Sequence, residues 1–232
     1  MKSLFQQFDR IVIFDTETTG IEFKTCRIIE LGAVALDAEG EVDSMDALIR
    51  LPEGETIPPV VVDLTGITDL QLLSEGVSEQ EAVDQFARLF QGAERPLIVA
   101  YNAQFDLNFM AGLLPRYGQL DLLKRSRFLD ALTVYKDRRD YPHKLCNAIE
   151  AYHLGDKVVN SHRAVDDARA TVALMESMAE ERGDLGRYID LFGFHPKYGV
   201  SGRRIASVTY VPQGYRRVAP AYEWGENGVK EL

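Results

Sequence analysis

Cysteine, tryptophan and histidine are scarce in this chain of 232 residues, which has 2 Cys, 1 Trp and 4 His. The two cysteines, Cys26 and Cys146, are far apart in the sequence, and neither belongs to a CxxC pair. A disulfide framework and a cysteine-rich zinc site are therefore not indicated. We expect both thiols to lie in the core as small apolar groups.

Long apolar runs are also missing, because no stretch approaches the roughly 20 residues that a membrane-spanning helix needs. The first ten residues, MKSLFQQFDR, contain neither the apolar segment nor the small-residue cleavage site of a signal peptide. These absences argue against a membrane role. We expect a cytoplasmic protein.

Positive charge is in short supply, since the net charge is −10 with 26 Lys+Arg against 36 Asp+Glu. Such a balance argues against a polyanionic partner, because phosphates are usually held by Lys and Arg. Two basic stretches soften the argument. The first comprises Lys124, Arg125, Arg127, Lys136, Arg138 and Arg139, and the second comprises Arg203, Arg204, Arg216 and Arg217 among Tyr198, Tyr210 and Tyr215.

Each basic stretch has two interpretations. The first stretch would either hold the backbone of a nucleic-acid strand or form an ordinary solvated surface. The second mixes arginine with tyrosine, which suits phosphate pairing combined with base stacking. Alternatively, this aromatic tail packs on the body of the protein or binds a polymerase or another partner.

The pattern of apolar residues predicts an α/β fold. Residues 11–14 (IVIF) form an unbroken apolar run, which is typical of a strand buried on both faces. Residues 27–36 and 45–51 follow as two β-rich segments joined by a turn, which predicts an antiparallel meander. Beyond them, the patterns predict strands at 97–100 and 128–134 and helices at 78–91, 104–114, 144–153 and 163–181. This order predicts a mixed five-stranded sheet with helices on both faces.

The composition changes after about residue 186, where the chain carries 8 of its 22 aromatic residues and no helical period. We therefore divide the chain into a domain at 1–185 and a C-terminal extension at 186–232. The extension contains a β-like stretch at 205–211 and is expected to form a hairpin or an ordered arm.

Two carboxylates directly follow the first predicted strand. Asp15 and Glu17, in the sequence DTETTG, are two residues apart and would therefore face the same side of an extended backbone. They would repel each other unless a divalent cation lay between them, and oxygen ligands of this kind suit Mg²⁺ or Mn²⁺. Two acidic residues with this spacing and no further signal are more often part of a solvated turn.

Two further signals carry carboxylates near the starts of helices. Asp106, in the sequence YNAQFD, lies near the first turn of a helix, where an acid is also favoured by the helix dipole. His162 and Asp167 are spaced H-x-x-x-x-D at the start of the last helix. Asp166 precedes Asp167, and the helical period alone does not say which of the two faces the sheet.

The order D-x-E, N-x-x-F-D and H-x-x-x-x-D resembles the DEDDh family of 3′-to-5′ exonucleases, which includes the proofreading exonucleases of bacterial DNA polymerase III. The resemblance covers roughly residues 9–182. A fourth segment, Ile57-Pro58 followed by Leu64-Thr65-Gly66-Ile67-Thr68, is similar to a segment of that family that contacts the terminal nucleotide.

The resemblance implies a ribonuclease H-like fold and a two-metal mechanism that releases nucleoside 5′-monophosphates. Asp15 would bridge two divalent ions, Mg²⁺ or Mn²⁺, with Glu17 and Asp167 completing the first site and Asp106 supporting the second. His162 would be the general base, a role that suits imidazole because it titrates near neutral pH. The resemblance also implies a set of substrate-binding residues, which comprises Thr16, Thr18, Thr19, Leu64, Thr65, Gly66, Ile67, Asn102 and Phe105.

The expected substrate is a single-stranded 3′ end, with DNA preferred. One alternative is an exoribonuclease of the same family that trims RNA ends, since no residue of the sequence reports on the 2′-hydroxyl. Another is a catalytically silent module that binds nucleic acid or protein, which would predict the loss of at least one of the five site residues. No polymerase segment is recognisable here, so a proofreading role would require a separate polymerase partner.

Overall fold

The computed structural model describes residues 1–158, 162–215, 219–226 and 228. Its centre is a mixed sheet of five strands in the order β3-β2-β1-β4-β5. The neighbours β1–β2 and β2–β3 are antiparallel, whereas β1–β4 and β4–β5 are parallel. The strands span β1 Arg10–Thr18, β2 Ile28–Asp37, β3 Gly40–Leu48, β4 Pro96–Ala100 and β5 Arg127–Asp130. The predicted meander and the mixed five-stranded sheet are therefore confirmed.

Eight helices surround the sheet within the described part of the chain. They are α1 Pro59–Thr65, α2 Asp69–Glu75, α3 Glu79–Arg88, α4 Ala103–Leu113, α5 Leu120–Arg125, α6 Ala131–Arg138, α7 Leu145–Ala151 and α8 Ala164–Glu181. Across the described residues, no helix combines the length and apolarity needed to cross a bilayer.

The strand β1 separates two hydrophobic clusters, because its side chains alternate between the faces of the sheet. Val12 and Phe14 belong to the cluster beneath α3 and α4. Ile11 and Ile13 belong to the cluster beneath α6, α7 and α8. Helices pack on both faces of the sheet, which explains the unbroken apolar run at residues 11–14 of β1. The sequence predicted this burial on both faces.

The predicted strand at 128–134 is wrong in its second half, because β5 ends at Asp130 and α6 begins at the next residue. The Asp130 carboxylate accepts hydrogen bonds from the Leu132 and Thr133 backbone amides, both at 3.2 Å, so it forms the N-cap of α6. The apolar run alone did not reveal this change of conformation.

The segment after α8 packs against the body through two short strands, β6 Leu191–Phe194 and β7 Thr209–Pro212. These strands pair in parallel, so this pair is not the hairpin that was one of our expectations. The side chains of Phe192 and Tyr210 are buried in the cluster beneath α4, where Tyr210 is 1% exposed. The tyrosine-rich tail is therefore an ordered arm as far as residue 215, and Arg216 and Arg217 lie outside the described residues.

Both cysteines are more accessible than the sequence suggested. Cys26 is partly buried and Cys146 is exposed, and neither forms a disulfide. The expectation of two core thiols is therefore wrong for Cys146, which lies on the outer side of α7.

Candidate functional site

The site is built where β1 runs beyond the end of its parallel neighbour β4. The last residue pair between the two strands is Ile13 with Val99. Beyond that point Asp15 and Glu17 are partly buried, and Asp106 in the first turn of α4 is bonded to Thr16 of β1. The two carboxylates thus lie near the C-terminal end of the central strand β1, beyond the end of its pairing with β4.

Asp106 of α4 is held against β1 and is 2% exposed. Its Oδ1 accepts hydrogen bonds from the Thr16 hydroxyl at 2.6 Å and from the Thr16 backbone amide at 3.1 Å. Thr16 lies between Asp15 and Glu17, so these bonds tie the third carboxylate to the first two. The predicted substrate-binding residue Thr16 is therefore buried and contacts Asp106.

The start of α8 brings the remaining residues to the same place. Asp167 is 7% exposed, whereas its neighbour Asp166 is only partly buried, which resolves the choice that the helical period left open. Carboxylate oxygens of Glu17 and Asp167 and a ring nitrogen of His162 all lie within 4.8 Å of one another. His162 is exposed and has a backbone φ of 53°.

Close contact between α8 and β2 makes this arrangement possible. Gly32 of β2 pairs directly with Asp15 of β1. A Cβ atom at Gly32 would lie only 2.1 Å from the Val165 backbone nitrogen and 2.3 Å from the Ala164 carbonyl carbon. Only glycine therefore allows the first turn of α8 to approach the sheet so closely.

Glu30 fixes the same turn from the interior of β2. Its side chain is 0% exposed, and its carboxylate accepts hydrogen bonds from the Arg163 Nε at 2.7 Å and from the Ala164 backbone amide at 2.8 Å. A buried carboxylate is tolerated when it is paired in this way. Glu30 thereby positions the two residues that directly follow His162.

Burial and the clustering of acidic groups raise the pKa values of three of these carboxylates. Burial and then the carboxylates of Asp106, Asp167 and Glu17 raise the pKa of Asp15 well above its usual value. Burial, followed by Asp167 and Glu30, raises the pKa of Glu17 to about 8. Burial also raises the pKa of Asp106 to about 7, although the hydrogen bonds from Thr16 oppose that change.

These residues fit a divalent cation. Four carboxylates converge at one place, and their mutual repulsion would be relieved by bound positive charge. Carboxylate oxygens are the ligands that Mg²⁺ and Mn²⁺ prefer, whereas a soft metal would favour thiolates, which this site lacks among its described residues. The donor set therefore matches the predicted magnesium or manganese ions.

The segment at 57–68 forms α1 and the turn after it, and its predicted contact residues differ in accessibility. Leu64 is 56% exposed, and Gly66 is exposed with a φ of 71°. Thr65 and Ile67 are 5% and 2% exposed, and the Thr65 hydroxyl donates to the Val61 carbonyl at 2.9 Å. Only Leu64 therefore offers an exposed side chain for a base, while Thr65 and Ile67 hold the turn from inside.

The other predicted contact residues lie on both sides of the carboxylates. The Thr18 hydroxyl donates to the Gly20 carbonyl at 2.8 Å, and the Thr19 hydroxyl accepts from the Arg27 backbone amide at 2.9 Å. Asn102 is exposed with a φ of 67° at the start of α4, and Phe105 is partly buried. Both threonines thus shape the loop that follows β1.

The four arginines of the first basic stretch all contact acceptor groups of the protein itself. Arg125 donates to the Ala93 carbonyl at 2.6 Å, and Arg127 pairs with Asp190. Arg138 pairs with Asp184 at 2.5 Å, and Arg139 pairs with Glu181 at 2.9 Å. The interpretation of this stretch as a strip that holds the nucleic-acid backbone is therefore wrong for Arg138, which is 2% exposed, while the other three arginines have partners in the protein itself.

Sequence reasoning missed Glu30 and Asp130, which position the site without belonging to the recognised motifs. Asp130 accepts a hydrogen bond from the Ala103 backbone amide at 3.0 Å and so anchors the start of α4. The sequence contains one signal for both residues, because each is a single acid within a predicted strand. A charge in a buried strand needs a partner, which would have indicated a structural role.

Comparisons with known proteins agree with this geometry. Residues 12–175 match the model of the RNase_T family, which is described as "Exonuclease". The chain is 34% identical over 167 residues to the DNA polymerase III subunit epsilon of Treponema pallidum, covering 71% of this chain and 74% of that protein. It is also 34% identical over 128 residues to the ribonuclease T of Photorhabdus laumondii, covering 50% and 57% of the two chains.

Other relatives are much longer than this chain. The DNA polymerase III PolC-type of Caldanaerobacter subterraneus is 32% identical over 183 residues, but the chain spans only 12% of its length. Among solved structures, a complex of Escherichia coli exonuclease I with single-stranded DNA matches with a TM-score of 0.65 and 20% identity. That match covers 78% of this chain and 43% of exonuclease I, and it shows a shared fold.

The ribonuclease H-like fold predicted from the sequence is therefore confirmed. The family match includes all five residues of the site, which lie on β1, on α4, in the first turn of α8 and just before that helix. The chain belongs to this exonuclease family, as the DEDDh-type motifs of its sequence predicted.

Proposed function

We propose that this protein is a metal-dependent 3′-to-5′ exonuclease that hydrolyses single-stranded nucleic acid, DNA in preference to RNA, and releases nucleoside 5′-monophosphates. One observation carries the proposal. Oxygens of Glu17 and Asp167 and a ring nitrogen of His162 lie within 4.8 Å of one another, beside Asp15 and Asp106, whose charges interact with the same group. A silent binding module would not need to keep all five.

Asp15, Glu17, Asp106 and Asp167 would hold the metal ions. When bound, two divalent ions would stabilise the charge on the attacking and leaving oxygens of an in-line displacement at phosphorus. Thr16 keeps the Asp106 carboxylate turned toward β1 through two hydrogen bonds. Glu30 and Gly32 keep the start of α8 against β2, so that Asp167 stays opposite Asp15.

His162 would act as the general base through a ring nitrogen. Its exposure gives it access to water, and its place beside Glu17 and Asp167 puts the imidazole at the edge of the acidic cluster. Leu64 is an exposed apolar side chain of the 57–68 segment, and it would pack against the terminal base.

An exoribonuclease is the second candidate, because one relative at 34% identity is a ribonuclease T. The relation to a DNA polymerase III subunit epsilon favours DNA and makes a polymerase a plausible partner. A cytoplasmic location and the boundary between residues 185 and 186 remain predictions from the sequence.

Digestion of matched 5′-labelled single-stranded DNA and RNA oligonucleotides tests the proposal. We expect a ladder that shortens from the 3′ end in the presence of Mg²⁺ or Mn²⁺ and stops when EDTA is added. The polymer that is degraded faster identifies the substrate class. Absence of cleavage of both polymers by well-folded protein would reject the exonuclease and favour the binding module.

The Gly32→Ala substitution should damage the site without touching a catalytic group. The added Cβ would clash with the backbone of α8 at Ala164 and Val165, so the first turn of the helix must move. Overpacking of this kind costs about 1–3 kcal/mol of stability. A displacement of about 1 Å can lower kcat roughly 100-fold. Thermal unfolding and initial rates on the same preparation measure both effects.

Gly183→Ala provides the matched control, since it lies just beyond the other end of α8 and its Cβ would meet no atom within 4 Å. It should leave kcat unchanged. Normal activity of Gly32→Ala would show that the contact between α8 and β2 does not set the geometry of the site.

A further inference from the structure

A cleft of about 360 Å³ is lined by the loop that follows β1 and by the C-terminal half of α4. Its lining combines basic and aromatic side chains, which is the composition of surfaces that bind single strands by phosphate pairing and base stacking. The side chains that matter here are those of Phe23, Lys24, Arg27, Phe109, Arg116 and Arg203.

Two elements of the fold carry residues of both the carboxylate site and the cleft lining. The loop at 19–27 leaves β1 directly after Thr18, and its end is tied to its beginning by the bond between Thr19 and Arg27. On α4, Phe105 is adjacent to Asp106, and the ring of Phe105 lies 5.2 Å from that of Phe109 in the cleft. One helical turn, about 5.4 Å along the axis, therefore leads from the site to the cleft.

The C-terminal segment contributes one wall of the cleft because α4 holds it by its backbone. The Gln104 side chain donates to the Arg203 carbonyl at 2.7 Å. The Asn108 side chain donates to the Ser201 carbonyl at 3.2 Å and accepts from the Arg203 amide at 2.9 Å. Gly202 has a φ of 77°, and a Cβ atom there would lie within 2.7 Å of three Asn108 side-chain atoms.

The anchoring side chains are themselves buried and ordered. Gln104 and Asn108 are 9% and 8% exposed, and Gln104 also accepts a bond from the Tyr210 hydroxyl at 2.6 Å. The same hydroxyl accepts from the Ile205 amide at 2.9 Å. The backbone at 201–205 is thus fixed on both sides, while the Arg203 side chain is left exposed.

The basic side chains of the cleft differ in whether they pair with an acid. Arg27 pairs with Glu55 at 2.7 Å, and Arg116 pairs with Glu79 at 3.1 Å. Lys24 and Arg203 form no ion pair with any acid among residues 1–158, 162–215, 219–226 and 228. The two side chains are therefore available for phosphate groups, unlike Arg125, Arg127, Arg138 and Arg139.

We infer that the C-terminal segment supplies Arg203 to a single-strand-binding cleft, where it holds a backbone phosphate upstream of the terminal nucleotide. This inference rests on the proposed function and deepens it by naming where the rest of the strand lies. Arg203 is outside the matched family region, which ends at residue 175. The docking of residues 201–205 onto α4 places this group next to the helix that carries Asp106.

Binding of a 5′-fluorescein-labelled oligothymidylate in EDTA tests the inference without requiring hydrolysis. Fluorescence anisotropy over a series of salt concentrations gives the Kd for wild type and for Arg203→Ala. We expect the Kd to rise about tenfold and the slope of log Kd against log salt to fall by about 0.7, which is the value for one phosphate contact on a single strand. Arg203→Lys should recover part of the loss.

Arg182→Ala is the matched control because Arg182 is an exposed arginine directly after α8, an 18-residue helix about 27 Å long whose other end forms the site. It should leave both the Kd and the salt slope unchanged. An unchanged Kd for Arg203→Ala, or an equal loss in Arg182→Ala, would overturn the inference.

A second measurement separates this inference from the proposed function. The p-nitrophenyl ester of thymidine 5′-monophosphate has no upstream strand, so Arg203→Ala should hydrolyse it at the wild-type rate in Mn²⁺. On the oligonucleotide the same variant should show a raised KM and an unchanged kcat. Failure of wild type to hydrolyse either substrate would reject the exonuclease, whereas the binding result in EDTA would still decide the role of Arg203.

Discussion

Asp15→Asn should abolish turnover while leaving the metal-free protein folded and more stable than wild type. Asp15 faces three other carboxylates, and a neutral amide of nearly the same shape cannot replace its charge in holding a divalent ion. Such ions supply several kcal/mol of transition-state stabilisation. We therefore expect kcat to fall by at least about 10³, measured by release of labelled nucleotide in Mg²⁺.

The gain in stability follows from the direction of the pKa change. A carboxylate whose pKa is raised by folding disfavours the folded state once the pH exceeds its unfolded pKa, and this cost grows until the pH reaches the folded pKa. For Asp15, and for Glu17 with its folded pKa of about 8, the metal-free protein should lose stability as the pH rises from about 4 to about 8.

Thermal unfolding in EDTA measures this effect. Asp15→Asn should raise the Tm at about pH 8 by about 2–4 °C, the shift that corresponds to roughly 1 kcal/mol in a domain of this size. The difference from wild type should shrink toward about pH 5, where Glu17, with its folded pKa of about 8, and Asp106, with a folded pKa of about 7, are protonated and repel Asp15 less. Added Mn²⁺ should raise the Tm of wild type at about pH 8 and have a smaller effect on the variant.

Asp121→Asn serves as the control, since Asp121 is an exposed carboxylate in α5. It should change neither kcat nor the response of the Tm to Mn²⁺. If Asp15→Asn were less stable than wild type across this pH range, repulsion among the carboxylates would not be the dominant interaction of Asp15. Retention of wild-type activity would exclude Asp15 as a metal ligand.

The parts of the fold that the sequence revealed are those specified by local rules. The apolar run at 11–14 predicted a strand buried on both faces, and β1 is that strand. A helix was predicted from residue 78, and the structure has Ser78 and Glu81 as a capping box at the start of α3. The three- and four-residue spacing of apolar residues at 163–181 predicted the helix α8, which docks on β1 and β2.

Other parts depend on contacts that are distant in the sequence. Asp130 anchors the start of α4 through Ala103, which lies 27 residues earlier in the chain. Glu30 is stable inside β2 only because Arg163 and Ala164 lie opposite it in the folded protein. The approach of α8 to Gly32 similarly brings together Gly32 and Ala164, which are 132 positions apart in the sequence. A local sequence pattern does not reveal contacts between residues that are so far apart in the chain.

The motif residues of the site were found because each lies at the end of an element, where a side chain can reach a ligand. Their surroundings were harder to predict. The sequence did not distinguish the exposed Leu64 from the buried Thr65 and Ile67, since all belong to one short segment whose turn is set by Gly66. The sequence likewise did not show that Arg139 pairs with an acid whereas Arg203 forms no ion pair within the described part of the chain.

His162→Asn should lower kcat about 10²- to 10⁴-fold, the usual contribution of a general base. Asparagine is the informative replacement because the backbone at residue 162 has a φ of 53°, and asparagine tolerates this left-handed conformation better than alanine does. The loss therefore reports on the imidazole and not on backbone strain. The KM and the rise in Tm with Mn²⁺ should change little, because the four carboxylates remain.

His153→Asn is a closely matched control, since His153 is also exposed and has a φ of 55°, but it lies in the turn after α7 and outside the acidic cluster. It should retain full activity. Because His162 is accessible to solvent, added imidazole should restore part of the activity of the more open variant His162→Gly. A His162→Asn variant that lost its Tm response to Mn²⁺ together with its activity would assign His162 to the metal-holding group and not to proton transfer.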